Sequence, residues 1–181
     1  MTNSSHKVCS KIYAACLAAY NSGQLHGEWI DANQDADDIR AQIKTMLAKS
    51  PEPFAEEWAV HDSEGFGGID IGEWPEIERV SALAMLITEH SEAFTVWYQH
   101  QDGQNFDTAE LEEKYLESWQ GVFESETAFA CQFLEDIGQL NELPAWAQNY
   151  FDFESYARDL RLSGDFSFIT HNGETYVYSN H

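Results

Sequence analysis

Residues 61–77, HDSEGFGGIDIGEWPEI, decide how the chain folds. Counted from Asp62, acids fall at positions 1, 3, 9 and 12 (Asp62, Glu64, Asp70, Glu73), with Gly67 sixth and Ile69 eighth, close to an EF-hand calcium loop. Such a loop needs a helix on each side. Position 5, an oxygen ligand in that motif, is Phe66, and the preceding FAEEWAVH (54–61) has the composition of a strand. Gly65, Gly67 and Gly68 then predict a flexible bend between a strand-bearing region and a helical one, and the acids read as surface.

Upstream of the bend, KIYAACLAAY and HGEWIDA flank NSGQL, whose Asn21 and Gly23 supply turn chemistry, so a hairpin is predicted. DADDIRAQIKTMLAKSP follows with Ile39, Ile43, Met46 and Leu47 at helical spacing, acids in the first turn and a stop before Pro51. With the strand over 54–61, this is a small α+β unit ending near Asp62.

Downstream the apolar period becomes helical. Pro75 suits a first turn, and Ile77, Val80, Leu83, Ala84 and Ile87 share one face, with a second piece in SEAFTVWYQH. DTAELEEKYLESW has Asp107 as N-cap, Glu110 at capping-box distance and an apolar stripe of Leu111, Tyr115 and Trp119. SETAFACQFLEDIG predicts a further helix with Phe129, Phe133, Leu134 and Ile137 inward; Pro144 starts a short one. DFESYARDLRLSG runs from an Asp152 cap to Gly164, and DFSFITHNGETYVYS closes the chain as a hairpin around Asn172-Gly173. The class is α+β.

Charge narrows the function. A net charge of -23 would suit a disordered acidic segment, but 43% hydrophobic residues, including 25 aromatics, can build a core. From Ser50 to Ala157 there are 24 acids against two bases, Arg79 and Lys114, whereas residues 1–49 balance five with five. A surface so negative repels nucleic acid and fits basic proteins or divalent cations. Helical neighbours such as Glu110, Glu113 and Glu117 destabilise the helix that carries them, by roughly 0.2–0.5 kcal/mol per pair, so folding does not ask for them. A salt-rich cytoplasm also favours acids for solubility; an acidic halophile-type or calcium-binding globular protein is the alternative reading.

Cys9, Cys16 and Cys131 are odd in number, lack metal spacing and read as inert buried thiols of a reducing, cytoplasmic compartment. No stretch is long enough to span a membrane. His61, Asp62 and Ser63 superficially resemble a catalytic set, yet neighbours on a strand point to opposite faces, and no hydrolase, zinc or phosphate-loop motif is present. No catalytic residue, metal ligand or cofactor is expected, and the chain does not read as an enzyme.

Five stretches, in order, resemble the ArdA-type antirestriction proteins: IYAACLAAYNSGQLHGEWIDA, EEWAVHDSEGFG, WQGVFESETAFA, LNELPAWAQNYFDFESYARDL and SGDFSF. The resemblance covers nearly the whole chain and rests on the set. It implies a DNA mimic: an elongated, curved protein of three small modules, dimerised through the last, whose carboxylates stand like the phosphates of bent DNA. The implied partners are type I restriction-modification enzymes, opposed on behalf of a plasmid, transposon or phage. The modules would be 1–62 (α+β), 63–117 (helical) and 118–181 (α+β, with the dimer contact). The mimic surface implied here is Asp62, Glu64, Asp70, Glu73, Glu89, Glu92, Asp102, Asp107, Glu110, Glu112, Glu113, Glu117, Glu124, Glu126, Glu135, Asp136 and Glu142, and the dimer contact is Trp146, Asn149, Tyr150 and Phe151.

Overall fold

The computed structural model describes residues 9–101 and 106–180. The backbone forms two compact units, Met1–Ala109 and Glu110–His181.

In the first unit, β1 (Lys11–Cys16) lies between β2 (Gly27–Asp31) and β3 (Trp58–Glu64), both antiparallel to it. The hairpin forms, but not with a tight turn. Leu17–Tyr20, expected to extend the strand, instead coil with Asn21 into α1 (Leu17–Asn21), because Leu-Ala-Ala-Tyr favours helix once the ladder with β2 has ended at Ala15. Gly23, at φ 80°, closes that turn by donating to the Tyr20 carbonyl at 2.9 Å.

α2 (Ala36–Ala48) packs on the sheet with Ile39, Ile43 and Met46 buried; Leu47 is only half-buried. The third strand starts four residues later than predicted, at Trp58. Its register is fixed by pairing with the whole of β1, from Lys11 opposite Glu64 to Cys16 opposite Trp58, which leaves Phe54 exposed in the preceding loop.

α3 (Ile77–Gln99) joins the two predicted helical pieces across a break at Ser91 (φ 53°, ψ -135°). Ile77, Val80, Leu83, Ala84 and Ile87 are all buried, as the spacing predicts, and Phe94–Tyr98 are covered on every side. Arg79, one of the two bases of the acidic block, is a structural tie: it donates to the Tyr98 hydroxyl (2.6 Å from Nη2) and to the Phe106 carbonyl (2.9 Å from Nη1). Phe106 in turn stacks on Trp97 at 5.4 Å.

The glycine-rich segment is not the flexible bend predicted. Ser10 Oγ donates to the Gly65 carbonyl (2.8 Å) and Gln99 Nε2 to the Gly67 carbonyl (2.9 Å), tying the loop to the start of the sheet and to α3. A Cβ on Gly65 would meet the Cys9 carbonyl oxygen at 2.6 Å; the glycines are there for close approach at positive φ.

A 3₁₀ turn (Thr108–Glu110) leads into α4 (Leu111–Ser118), the first helix of the second unit. Trp119 does not prolong the helix. It opens β4 (Trp119–Phe123), which the sequence reading missed and which completes a sheet of order β4-β6-β5 with β5 (Phe166–His171) and β6 (Glu174–Ser179).

β6 is buried from Thr175 to Tyr178 because both faces are covered. Tyr178 and Tyr176 meet Trp119 (5.2 and 6.2 Å), which stacks on Tyr115 of α4. Val177 joins the cluster of Phe129, Ala130, Ala157, Leu160 and Phe166 supplied by α5 (Glu126–Asp136), α7 (Phe153–Ser163) and β5. Burying each large member stabilises the unit by roughly 1.5–3 kcal/mol. Ile137, expected inward, lies beyond the end of α5 and is 46% exposed. Between them runs a short α6 (Ala145–Gln148) after Pro144. Asn172 (φ 51°) and Gly173 (φ 86°) form the predicted tight turn.

Candidate functional site

None of the described acids is buried, and only Glu52, Glu126 and Asp165 are partly covered. They fall into two groups. One group serves the fold: Glu78 and Asp37 both bind Arg40, Asp152 caps α7, and Glu126 pairs with Arg161 at 3.0 Å. The Arg40 guanidinium holds the Glu78 carboxyl below the usual carboxylate range, and the Ser155 amide and hydroxyl do the same for Asp152.

The other group has no such role. Among the described residues no base lies within ion-pair distance of Glu64, Glu73, Glu110, Glu113, Glu117, Glu124, Asp136 or Glu142. Among the described residues, Asp62, Asp70 and Asp107 accept from nearby backbone amides, of Ser63, Gly72 and Ala109.

Each element presents its acids for a local reason. On α4 the buried side is Leu111, Tyr115 and Ser118, so Glu112, Glu113 and Glu117 must face outward, with Glu110 on the preceding turn. Residues three or four apart on a helix lie ~5–6 Å from each other, which spaces Glu113 and Glu117 as adjacent anions. Glu135 and Asp136 end α5, where the helix dipole disfavours negative charge by about 0.3–1 kcal/mol each. Glu89 and Glu92 are exposed on either side of the Ser91 break.

On β3 a bulge sets the pattern. Tyr13 pairs with Asp62 and Ala14 with Val60, so His61 is the extra residue, and His61 and Asp62 are both exposed. Strict alternation, the ground for separating His61, Asp62 and Ser63, therefore does not hold. All three line one cleft of about 720 Å³ together with Tyr20, Asp70 and Glu73. They do not form a relay: the His61 ring stands edge-on to Tyr20 at 4.8 Å, and among the described residues no hydrogen bond joins it to Ser63.

The segment from Asp62 to Glu73 is no EF-hand either, since β3 occupies the place of the incoming helix and Phe66 is 3% exposed. Asp102 lies outside the described residues.

Of the expected dimer residues, Trp146 and Tyr150 are 72% and 83% exposed and Asn149 is exposed, whereas Phe151 is half-buried against Phe153 (4.9 Å) and Tyr156 (5.8 Å). The thiols are not uniformly buried: Cys16 is, Cys9 is exposed and Cys131 is half-covered, its thiol pushed up by burial and by Glu135.

The model of the antirestriction protein (ArdA) family matches residues 12–175 of the 181. The chain belongs to the ArdA antirestriction family. None of the curated proteins compared with it matches. The ArdA match begins in β1 and ends in β6, taking in both compact units and every acid of the expected surface. Membership gives the chain an antirestriction role and implies interaction with restriction-modification enzymes. No helix among the described residues is long and apolar enough to cross a membrane.

The sequence reading passed over one further cleft on this ArdA-family chain, about 420 Å³, lined by Glu56, Glu57, Trp58, Trp74 and Pro75. The signal was a pair of Glu-Trp steps, Glu57-Trp58 and Glu73-Trp74, one on each side of the glycine-rich segment.

Proposed function

We propose that this ArdA-family protein is a DNA mimic that occupies the DNA-binding groove of a type I restriction-modification enzyme and so blocks restriction. The observation that carries the reading is the second group of acids. They are exposed, lack cationic partners among the described residues, and at the Glu113/Glu117 pair of α4 and the end of α5 they sit close enough to like charge or to the negative helix end to work against the fold. A surface kept at that cost suits a partner whose own cations await phosphates. Lysine and arginine placed for a DNA backbone accept carboxylates through the same charge-assisted bonds.

The protein acts as a homodimer in this proposal, with Trp146, Asn149, Tyr150 and Phe151 at the contact; the exposure of Trp146 and Tyr150 supports that assignment. Two chains carry twice -23, or -46. At one charge per ~1.7 Å of duplex, that equals about 80 Å or roughly 23 base pairs, the scale of a large DNA-binding groove. No cofactor, nucleic acid or membrane enters the mechanism, and the site of action is the cytoplasm.

The test is displacement. Adding the purified chain to a type I methyltransferase bound to a fluorescent duplex is expected to release the duplex competitively. Inhibition with the duplex still bound would exclude mimicry while leaving the antirestriction role intact.

A further inference from the structure

The Trp58–Trp74 cleft offers something that charge alone does not. Trp74 is 64% exposed, on the segment that crosses the free edge of β3, where the Val60 amide donates to the Glu73 carbonyl at 2.9 Å. Trp58, half-buried, starts β3 itself, and Pro75 precedes α3, so the walls are held by the sheet and the helix. Glu56 and Glu57 are exposed at the same cleft, and among the described residues no base pairs with either.

An indole left in water beside two carboxylates suits one class of ligand. An anion is repelled, and a neutral apolar group would strip water from the carboxylates without replacing it. A cation satisfies both, and a guanidinium does so best: it is planar, stacks on an indole face and bonds a carboxylate through two parallel N–H groups. The volume lies toward the small end of ligand sites, enough for the head of one side chain.

We infer that the cleft of Glu56, Glu57, Trp58 and Trp74 receives an arginine side chain of the protein partner, as a discrete anchor within an otherwise diffuse electrostatic surface. The source of that arginine rests on the mimic reading above; the cleft's preference for a guanidinium does not.

The two are separated by a test on the full chain alone. N-acetyl-arginine amide is titrated at constant ionic strength while the indole N–H resonances are followed by NMR, with Trp58→Phe and Trp74→Phe used for assignment. The Trp58 and Trp74 signals are expected to shift saturably, and not with N-acetyl-leucine amide or with sodium chloride. Glu56→Gln/Glu57→Gln, which keeps both indoles and removes no buried group, is expected to abolish the shift. Equal shifts with the leucine amide, shifts that survive the double Gln variant, or none at all would overturn the assignment.

With a methyltransferase, Trp74→Ala is expected to weaken inhibition roughly 3- to 30-fold, the range of one cation–π contact, without changing its salt dependence. Unchanged inhibition by Trp74→Ala, with the arginine amide still binding the wild type, would remove the partner's arginine from this cleft.

Discussion

A Cβ placed on Gly67 would come within 2.6 Å of Thr95 Cγ2 on α3. The loop that follows Asp62 and Glu64 of β3 and carries Asp70 and Glu73 is therefore packed against the helix, and its acids stand on a fixed base. Gly67 also has φ 60°, a conformation that costs a residue with a side chain. Gly67→Ala is expected to destabilise the first unit by about 1–3 kcal/mol, measured by urea denaturation. A neutral change would mean that the loop is free to move.

Asp152 caps the first turn of α7. Its carboxylate accepts from the Ser155 amide at 3.0 Å and from the Ser155 hydroxyl at 2.7 Å, and these bonds hold its pKa below the ordinary value of 3.8. Because the folded value is the lower one, the contribution is present above the unfolded pKa and is lost as pH falls through the folded one. Asp152→Ala is expected to be less stable than wild type at neutral pH, with the gap closing below about pH 4. Urea melts across that range check this, and a gap that widens in acid would contradict the capping account.

The hairpin at Asn172-Gly173, the helices from Ala36, Ile77, Glu126 and Phe153, and the cap at Asp152 were legible because each has a local cause: turn chemistry, apolar period or a side-chain oxygen. What was hidden depends on pairing between distant residues. β4 is only WQGVF, interrupted by Gly121, and becomes a strand because Trp119 can pack on Tyr178. The bulge at His61 and the late start of β3 follow from the register with β1, which no single segment contains. The surface acids could be named from charge balance, since an exposed carboxylate needs no partner. Trp74 was passed over because a lone aromatic in a loop has no period to reveal it.

Tyr150 and Trp146 expose large rings in the second unit. If they form the dimer contact, Trp146→Ala/Tyr150→Ala is expected to yield monomers by light scattering, with inhibition reduced because each half presents only part of the charge. Since both side chains are exposed, thermal stability of the monomer should change little. A double variant that stays dimeric would move the contact elsewhere.

Glu110, Glu113 and Glu117 weigh little in folding and much in binding. Replacing all three with glutamine removes the like-charged pair Glu113/Glu117, worth roughly 0.2–0.5 kcal/mol, but also takes the first-turn acid Glu113 from the positive end of α4, and is expected to leave stability within about 0.5 kcal/mol of wild type. The same change is expected to weaken inhibition of a type I enzyme by roughly tenfold, as three exposed ionic contacts disappear. Denaturation and inhibition assays on one preparation read both, and a variant that loses more than about 1 kcal/mol of stability would refute the view that folding does not ask for these acids.

The central claim is that the carboxylates replace phosphates, and its most direct measurement is the affinity for a type I methyltransferase as a function of salt, for the wild type and for E110Q/E113Q/E117Q. The account predicts an affinity that falls steeply as salt rises, with a shallower slope in the variant. An affinity indifferent to salt, or an identical slope in the two proteins, would contradict it.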